Sequence, residues 1–171
     1  MNVNIMVCGF MGSGKTTFVE SFRGNHLGYD CIDLDAAVAA SLSILPSDLG
    51  EWINKNGLEN FRHKEIFVLQ GLLNNRMMKI IALGGGTNTG EGYSELRSQA
   101  KTVFLNVAFD TCYKRIKNDP NRPLTALGEA GLHDLYNKRL PQYLTSDICL
   151  SEDEIKKIEG LDSLVHNLSS I

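Results

Sequence analysis

Val3-Asn4-Ile5-Met6-Val7, leading through Cys8 into Gly9-Phe10-Met11-Gly12-Ser13-Gly14-Lys15-Thr16, is the stretch that decides the architecture. An apolar run of strand length enters the pattern G-x-x-x-x-G-K-[ST], and a helix-forming segment, about residues 15–23, leaves it. Strand, glycine-rich turn and helix start together make an anion trap. The glycines let backbone N–H groups converge on phosphate oxygens, and the helix N-terminus adds positive potential. Lys15 is placed to reach the β- and γ-phosphates of a nucleoside triphosphate, and the Thr16 hydroxyl to ligate Mg²⁺. The motif identifies the phosphoryl donor and leaves the acceptor open.

Outward from this loop the chain alternates strands and helices. Residues 29–32 read as a second strand ending in Asp33-Leu34-Asp35, and 36–42 as a helix. Pro46-Ser47-Asp48 resembles a helix start with Ser47 as N-cap. A longer helix spans about 58–74, with Phe61, Ile66, Leu69 and Leu73 at helical spacing. Residues 79–83 form a strand that enters Gly84-Gly85-Gly86, and 102–107 another. A helix at 110–117 precedes a polar segment, 118–123, too rich in turn formers for regular structure. Helix 132–140, strand 148–150 and a terminal helix 152–168 complete the order. Continuously apolar strands in β/α alternation predict a parallel sheet covered on both faces. Ligands of such sheets sit at the carboxyl ends of the strands, where all the motifs fall.

Composition fits one domain, 1–171. Apolar residues make up 43% and charged residues 22%, as in an ordinary globular chain. Seventeen basic against 20 acidic residues give −3, which argues against nucleic acid as a partner. No apolar run approaches the roughly 18 residues of a membrane span, so no membrane role is expected. Residues 1–7 lack a basic n-region and a small-residue cleavage site, and the expected location is cytoplasmic. Cys8, Cys31, Cys112 and Cys149 make no C-x-x-C pair and are expected as reduced core thiols. His26, His63, His133 and His166 lack metal-ligand spacing and read as surface residues. Without a long heptad, a monomer is expected.

Several side chains carry two readings. Asp33 and Asp35, two apart in an extended segment, point the same way. One could support Mg²⁺ and the other orient or deprotonate an attacking hydroxyl, or Asp35 could simply cap the following helix. The three glycines form either a flexible turn or a bare backbone that a second ligand approaches closely. Arg62 and Arg139 would together grip a carboxylate; singly, each reads as a solvated helix charge. Glu65 lies three residues after Arg62, within reach to hold it in place. Arg122, in the polar loop, suits a mobile lid that stabilises charge on a transferring phosphoryl group. Arg115 is a stacking partner for adenine or a helix C-terminal charge. Trp52 packs, or lines the acceptor side.

The set resembles the shikimate kinase family. The resemblance rests on residues 9–16, Asp33-Leu34-Asp35, Phe61-Arg62 with Glu65, Ala82-Leu83-Gly84-Gly85-Gly86, Arg122-Pro123-Leu124, and Arg139 followed by Pro141 and Tyr143. These follow the family's order at similar intervals over about residues 3–150. The chain departs from the family pattern in reading Gly57-Leu58 where Gly-Glu is usual, Thr125 after Arg122-Pro123-Leu124, and no basic, proline-containing loop near 151–154. The resemblance implies a three-layer α/β/α P-loop kinase fold, with a five-stranded parallel sheet in the order 2-3-1-4-5 and a mobile lid, about 117–130. It implies transfer of the ATP γ-phosphate to the 3-hydroxyl of shikimate, on the route to chorismate and the aromatic amino acids. It assigns Gly12, Ser13, Gly14, Lys15, Thr16, Thr17, Arg115 and Arg122 to the nucleotide, and Thr16 and Asp33 to Mg²⁺. Asp35, Arg62, Gly84, Gly85, Gly86 and Arg139 fall to shikimate, whose binding region is about 33–62. Lys15, Asp35 and Arg122 would be the catalytic groups. Other readings are a P-loop kinase for a gluconate-like acid or a nucleoside monophosphate, and a catalytically silent nucleotide-binding module.

Overall fold

A computed structural model of the chain describes residues 3–24, 28–119 and 123–169. The apolar run at the N-terminus forms β1 (Asn4–Cys8), buried at every position. Its neighbours are β3 (Met78–Ala82) and β4 (Ala100–Asn106); β2 (Tyr29–Asp33) and β5 (Ile148–Ser151) form the edges. The order is β2-β3-β1-β4-β5, and all pairings are parallel, with Ile5 opposite Ile80 and Cys8 opposite Phe104. This is the expected sheet. Ile5, Met6 and Val7 alternate in direction along β1, yet all are fully buried, so both faces of the sheet are covered. Each such side chain contributes about 1.5–3 kcal/mol of hydrophobic stabilisation.

The helices are α1 (Lys15–Glu20), α2 (Leu34–Ser41), α3 (Leu49–Asn56), α4 (Leu58–Leu73), α5 (Tyr93–Arg97), α6 (Phe109–Ile116), α7 (Gly128–Tyr143), α8 (Glu152–Lys157) and α9 (Leu161–Ser169). Short 3₁₀ turns lie at Pro46–Asp48, Thr87–Thr89 and Pro123–Leu127. Because the sheet is parallel, the carboxyl ends of its strands lie along one edge. The phosphate loop, Asp33 and the three glycines emerge there from β1, β2 and β3. The aromatic pairs Phe10–Tyr136, 5.3 Å between centroids, and Phe104–Tyr143, 5.1 Å, tie α7 to that edge.

Several expectations give way. The terminal helix is two helices: Ile158 turns extended, and the chain restarts beyond Gly160 so that Leu161, Leu164 and Leu168 are buried on one face of α9. Ser47 does not cap α3. Its hydroxyl bonds the Asp48 carboxylate, because a 3₁₀ turn begun by Pro46 precedes the helix. Helix α5 was not expected. Cys8, Cys31 and Cys112 are buried free thiols, whereas Cys149 is exposed because β5 is an edge strand. Among the described residues, no helix is long and apolar enough to cross a membrane.

Candidate active site

On the phosphate side, the loop after β1 is shaped by its own backbone. The Ser13 N–H donates to Phe10 O at 3.1 Å, and Phe18 N–H to Gly14 O at 2.8 Å, closing the turn and opening α1. Gly12 has φ 81°, and a Cβ there would stand 2.5 Å from the Cys112 carbonyl of α6, so no side chain fits. Lys15 is 9% exposed, and its Nζ donates to Gly9 O at 2.9 Å and Phe10 O at 3.0 Å. The ammonium is thus already held over the loop. Arg115 on α6 donates from Nη1 to Gly12 O at 2.9 Å, so its guanidinium lies on the loop rather than serving only as a helix C-terminal charge. Thr16 and Thr17 are exposed on the first turn of α1.

Thr16 Oγ1 donates to Asp33 Oδ2 at 2.6 Å, and Asp33 Oδ1 accepts from Ala36 N–H at 3.0 Å. Asp33, not Asp35, is therefore the N-cap of α2. The extended segment ends at Asp33 and Asp35 sits in the first turn of α2, so the two carboxylates do not share a strand face. Both nonetheless line one cleft of about 850 Å³, together with Thr16.

That cleft also takes in Arg62, Arg139 and all three glycines. Arg62 and Glu65 are one turn apart on α4, and Arg62 Nη1 donates to Glu65 Oε2. The Glu65 side chain is fully buried, and its other oxygen accepts from Thr87 Oγ1 at 2.7 Å. Burial pushes the Glu65 carboxyl above its usual value, opposed first by the Arg62 charge. Arg139 comes from α7, where Leu132, Tyr136, Arg139 and Tyr143 form one buried face. A guanidinium on such a face is costly unless it is bonded. Its Nη1 donates to Gly85 O at 2.9 Å, and the Tyr143 hydroxyl donates to the same carbonyl. Burial draws the Arg139 guanidinium below its usual value; the Tyr143 phenol opposes this, and the nearby Arg62 charge adds to it.

The glycines are required by space. A Cβ at Gly86 would collide with Arg62 Nη2 and stand 2.7 Å from Arg139 Nη2. Two cations therefore converge over one bare backbone position, a geometry that an anion placed there would stabilise. A Cβ at Gly84 would meet Glu65, Thr87 and, at 3.0 Å, Asp35 Oδ1.

The structure thus brings together Thr16, Asp33, Asp35, Arg62, Gly84, Gly85, Gly86 and Arg139. Arg122 lies outside the described residues; its flanks, Asp119 and Leu124, both line the cleft. Trp52 does not line it. It packs partly buried against the core and faces a separate groove with His63 and Phe67. The apolar wall beside the arginines is Leu49 and Ile53 of α3 with Leu58 and Phe61 of α4. Sequence reasoning missed Leu49 and Ile53, although their i, i+4 spacing was the available signal. It also missed Thr87, which no local pattern marks.

A sequence profile of the shikimate kinase family matches residues 11–169. A shikimate kinase of Synechococcus sp. (strain RCC307) is 36% identical over 152 residues, covering 86% of this chain and 75% of its own. That of Thermodesulfovibrio yellowstonii is 27% identical over 165 residues, 95% of this chain and 92% of its own. The solved structure of shikimate kinase from Acinetobacter baumannii in complex with shikimate superposes with a TM-score of 0.82 at 26% identity, covering 96% and 94% of the two chains.

Proposed function

The chain belongs to the shikimate kinase family and phosphorylates shikimate at the expense of ATP, and we propose that the two sides of its cleft divide that reaction between them. Family membership selects this reading over a gluconate-type or nucleoside monophosphate kinase and over a silent binding module. The observation that carries the division of labour is the convergence of Arg62 and Arg139 over Gly86, in the same cleft as Thr16 and Asp33.

On the phosphate side, the backbone N–H groups of the loop at 12–17 cradle the ATP phosphates, and Arg115 lies against the nucleotide base. Lys15 exchanges the Gly9 and Phe10 carbonyls for the β- and γ-phosphate oxygens, which outbid neutral carbonyls for a cation. Two hard oxygen donors, Thr16 Oγ1 and Asp33 Oδ2, lie 2.6 Å apart beside the loop. Among the described residues no cluster of three or more His, Cys, Asp or Glu is suited to a metal. That sparse oxygen set fits Mg²⁺, which keeps waters and shares substrate phosphates rather than filling a protein cage. Bound there, Mg²⁺ would neutralise phosphate charge.

On the acceptor side, Arg62 and Arg139 hold the shikimate carboxylate over Gly86. The apolar wall of Leu49, Ile53, Leu58 and Phe61 excludes water from one ring face. Asp35 accepts the proton of the 3-hydroxyl as its oxygen attacks the γ-phosphorus in line. Rate enhancement comes from positioning and preorganised charge rather than from a covalent intermediate. The protein works as a cytoplasmic monomer of one domain, with neither nucleic acid nor membrane as partner. The decisive experiment is shikimate-dependent ADP release by the purified chain, with gluconate and nucleoside monophosphates as alternative acceptors. ADP release with shikimate and none with the others is expected; no release alongside tight ATP binding would overturn the reading.

A further inference from the structure

We propose that Thr87 is a positioning residue, whose hydroxyl fixes Glu65 and through it aims Arg62 at the acceptor. The inference deepens the reading above and rests on Arg62 holding the acceptor carboxylate. Glu65 has two oxygens with different tasks. Oε2 accepts from Arg62 Nη1, and Oε1 accepts from Thr87 Oγ1 at 2.7 Å, a buried bond spanning 22 residues of sequence. The chain Thr87–Glu65–Arg62 thus joins the turn after β3 to α4.

Thr87 is suited to be the fixed end of that chain. It is fully buried, and both of its backbone groups are committed: its N–H to Gly84 O at 3.2 Å, its carbonyl to Gly90 N–H at 3.0 Å. A β-branched side chain is also stiff about χ1. The hydroxyl is therefore held by the turn, and it sets the plane of the Glu65 carboxylate. With Nη1 bound to Glu65, Arg62 is left with Nη2 against Gly86, where Arg139 Nη2 also converges. Gly84 completes the device, since any Cβ there would occupy the space where Glu65 Oε1, Thr87 Oγ1 and Asp35 Oδ1 meet. Without the hydroxyl, Oε1 is a buried carboxylate oxygen stripped of its donor. Such a group rotates or changes partner rather than bear the desolvation cost, and Arg62 loses its aim.

Three substitutions separate the hydroxyl from the methyl. Thr87→Ser keeps the former, Thr87→Val the latter, and Thr87→Ala neither. The intact chain is assayed for kcat and for KM of shikimate and of ATP, with Arg62→Ala alongside. The expected result is Ser within about twofold of the parent, with Val and Ala raising the shikimate KM about tenfold, the size of one hydrogen bond to a charged group. KM for ATP stays within about twofold. In an Arg62→Ala background, Thr87→Val adds no further rise, because the two act as one unit. Val matching the parent while Ser matches Ala would make Thr87 a packing residue and overturn the proposal, as would parallel rises in both KM values. Should the Val variant fail to fold, Ser against Ala decides alone, since they differ only in the hydroxyl. An unchanged shikimate KM in Arg62→Ala would overturn the carboxylate reading itself. A raised one, with unaffected Val and Ala variants, overturns only the role of Thr87.

Discussion

The two sides of the cleft are built on opposite plans. The phosphate side is almost entirely backbone, drawn from eight consecutive positions, with Gly12 admitting no side chain and Lys15 the main charged addition. The acceptor side is almost entirely side chain. Arg62 and Glu65 come from α4, Arg139 and Tyr143 from α7, and Thr87 from the turn after β3. Backbone amides offer the same field to any polyphosphate, so that plan suits a donor shared by many kinases. Buried, bonded guanidinium groups fix one anion in one orientation, so the second plan suits a particular acid. If the plans are separable, damage to one should spare the other's ligand.

Lys15→Ala tests that separation at the largest scale. It should lower kcat on the order of 10³-fold, as removal of a preorganised charge at a reacting phosphoryl group does, with helical circular dichroism unchanged. Near-normal turnover would remove Lys15 from the phosphate side. Next, Arg139→Ala should raise the shikimate KM about 100-fold and leave the ATP KM within about twofold, a loss confined to acceptor binding. Equal rises in both would show that the sides are not separable. Gly86→Ala should follow at about tenfold in shikimate KM, because the added methyl displaces both guanidinium groups. A normal shikimate KM in a folded Gly86→Ala protein would mean that the cations do not work from over that position.

The smallest effect concerns stability. Burial lifts the Glu65 pKa above its ordinary 4.5, so folding favours the protonated form. That contribution is complete below about pH 4.5 and is lost as pH rises through the raised value. The Tm of the parent relative to Glu65→Gln should therefore fall as pH rises from 4.5, at about 2–4 °C for each kcal/mol in a chain this long. Differential scanning fluorimetry across that range reads it. A relative Tm that instead climbs with pH would show the Arg62 pairing outweighing burial.

The contrast also explains what the sequence disclosed. The sheet was legible because its central strands β1, β3 and β4 are short, largely apolar runs that must be buried on both faces, and the phosphate loop because its residues are contiguous. Guanidinium chemistry offered Arg62 and Arg139 as a joint carboxylate grip, and the resemblance to a family pattern is what paired them; 77 positions separate them, and no local rule brings them together. Asp35 was misplaced on an extended segment alongside Asp33, because the capping bond from Ala36 N–H to Asp33 that starts α2 becomes visible only once the helix start is fixed. Of the two readings of Trp52, packing holds and lining the acceptor side does not, whereas Ile53, one residue on, lines the cleft; a shift of one residue on a helix turns the side chain by about 100°. Thr87 was silent because its partner lies 22 residues back on another element.

The most direct measurement is a crystal structure of the whole chain with ADP and shikimate bound together. The shikimate carboxylate should lie over Gly86, each oxygen within about 3 Å of a guanidinium nitrogen of Arg62 or Arg139, with the 3-hydroxyl beside Asp35 and facing the β-phosphate. Shikimate bound with its carboxylate elsewhere, or either arginine turned out of the cleft, would contradict the division of the site described above.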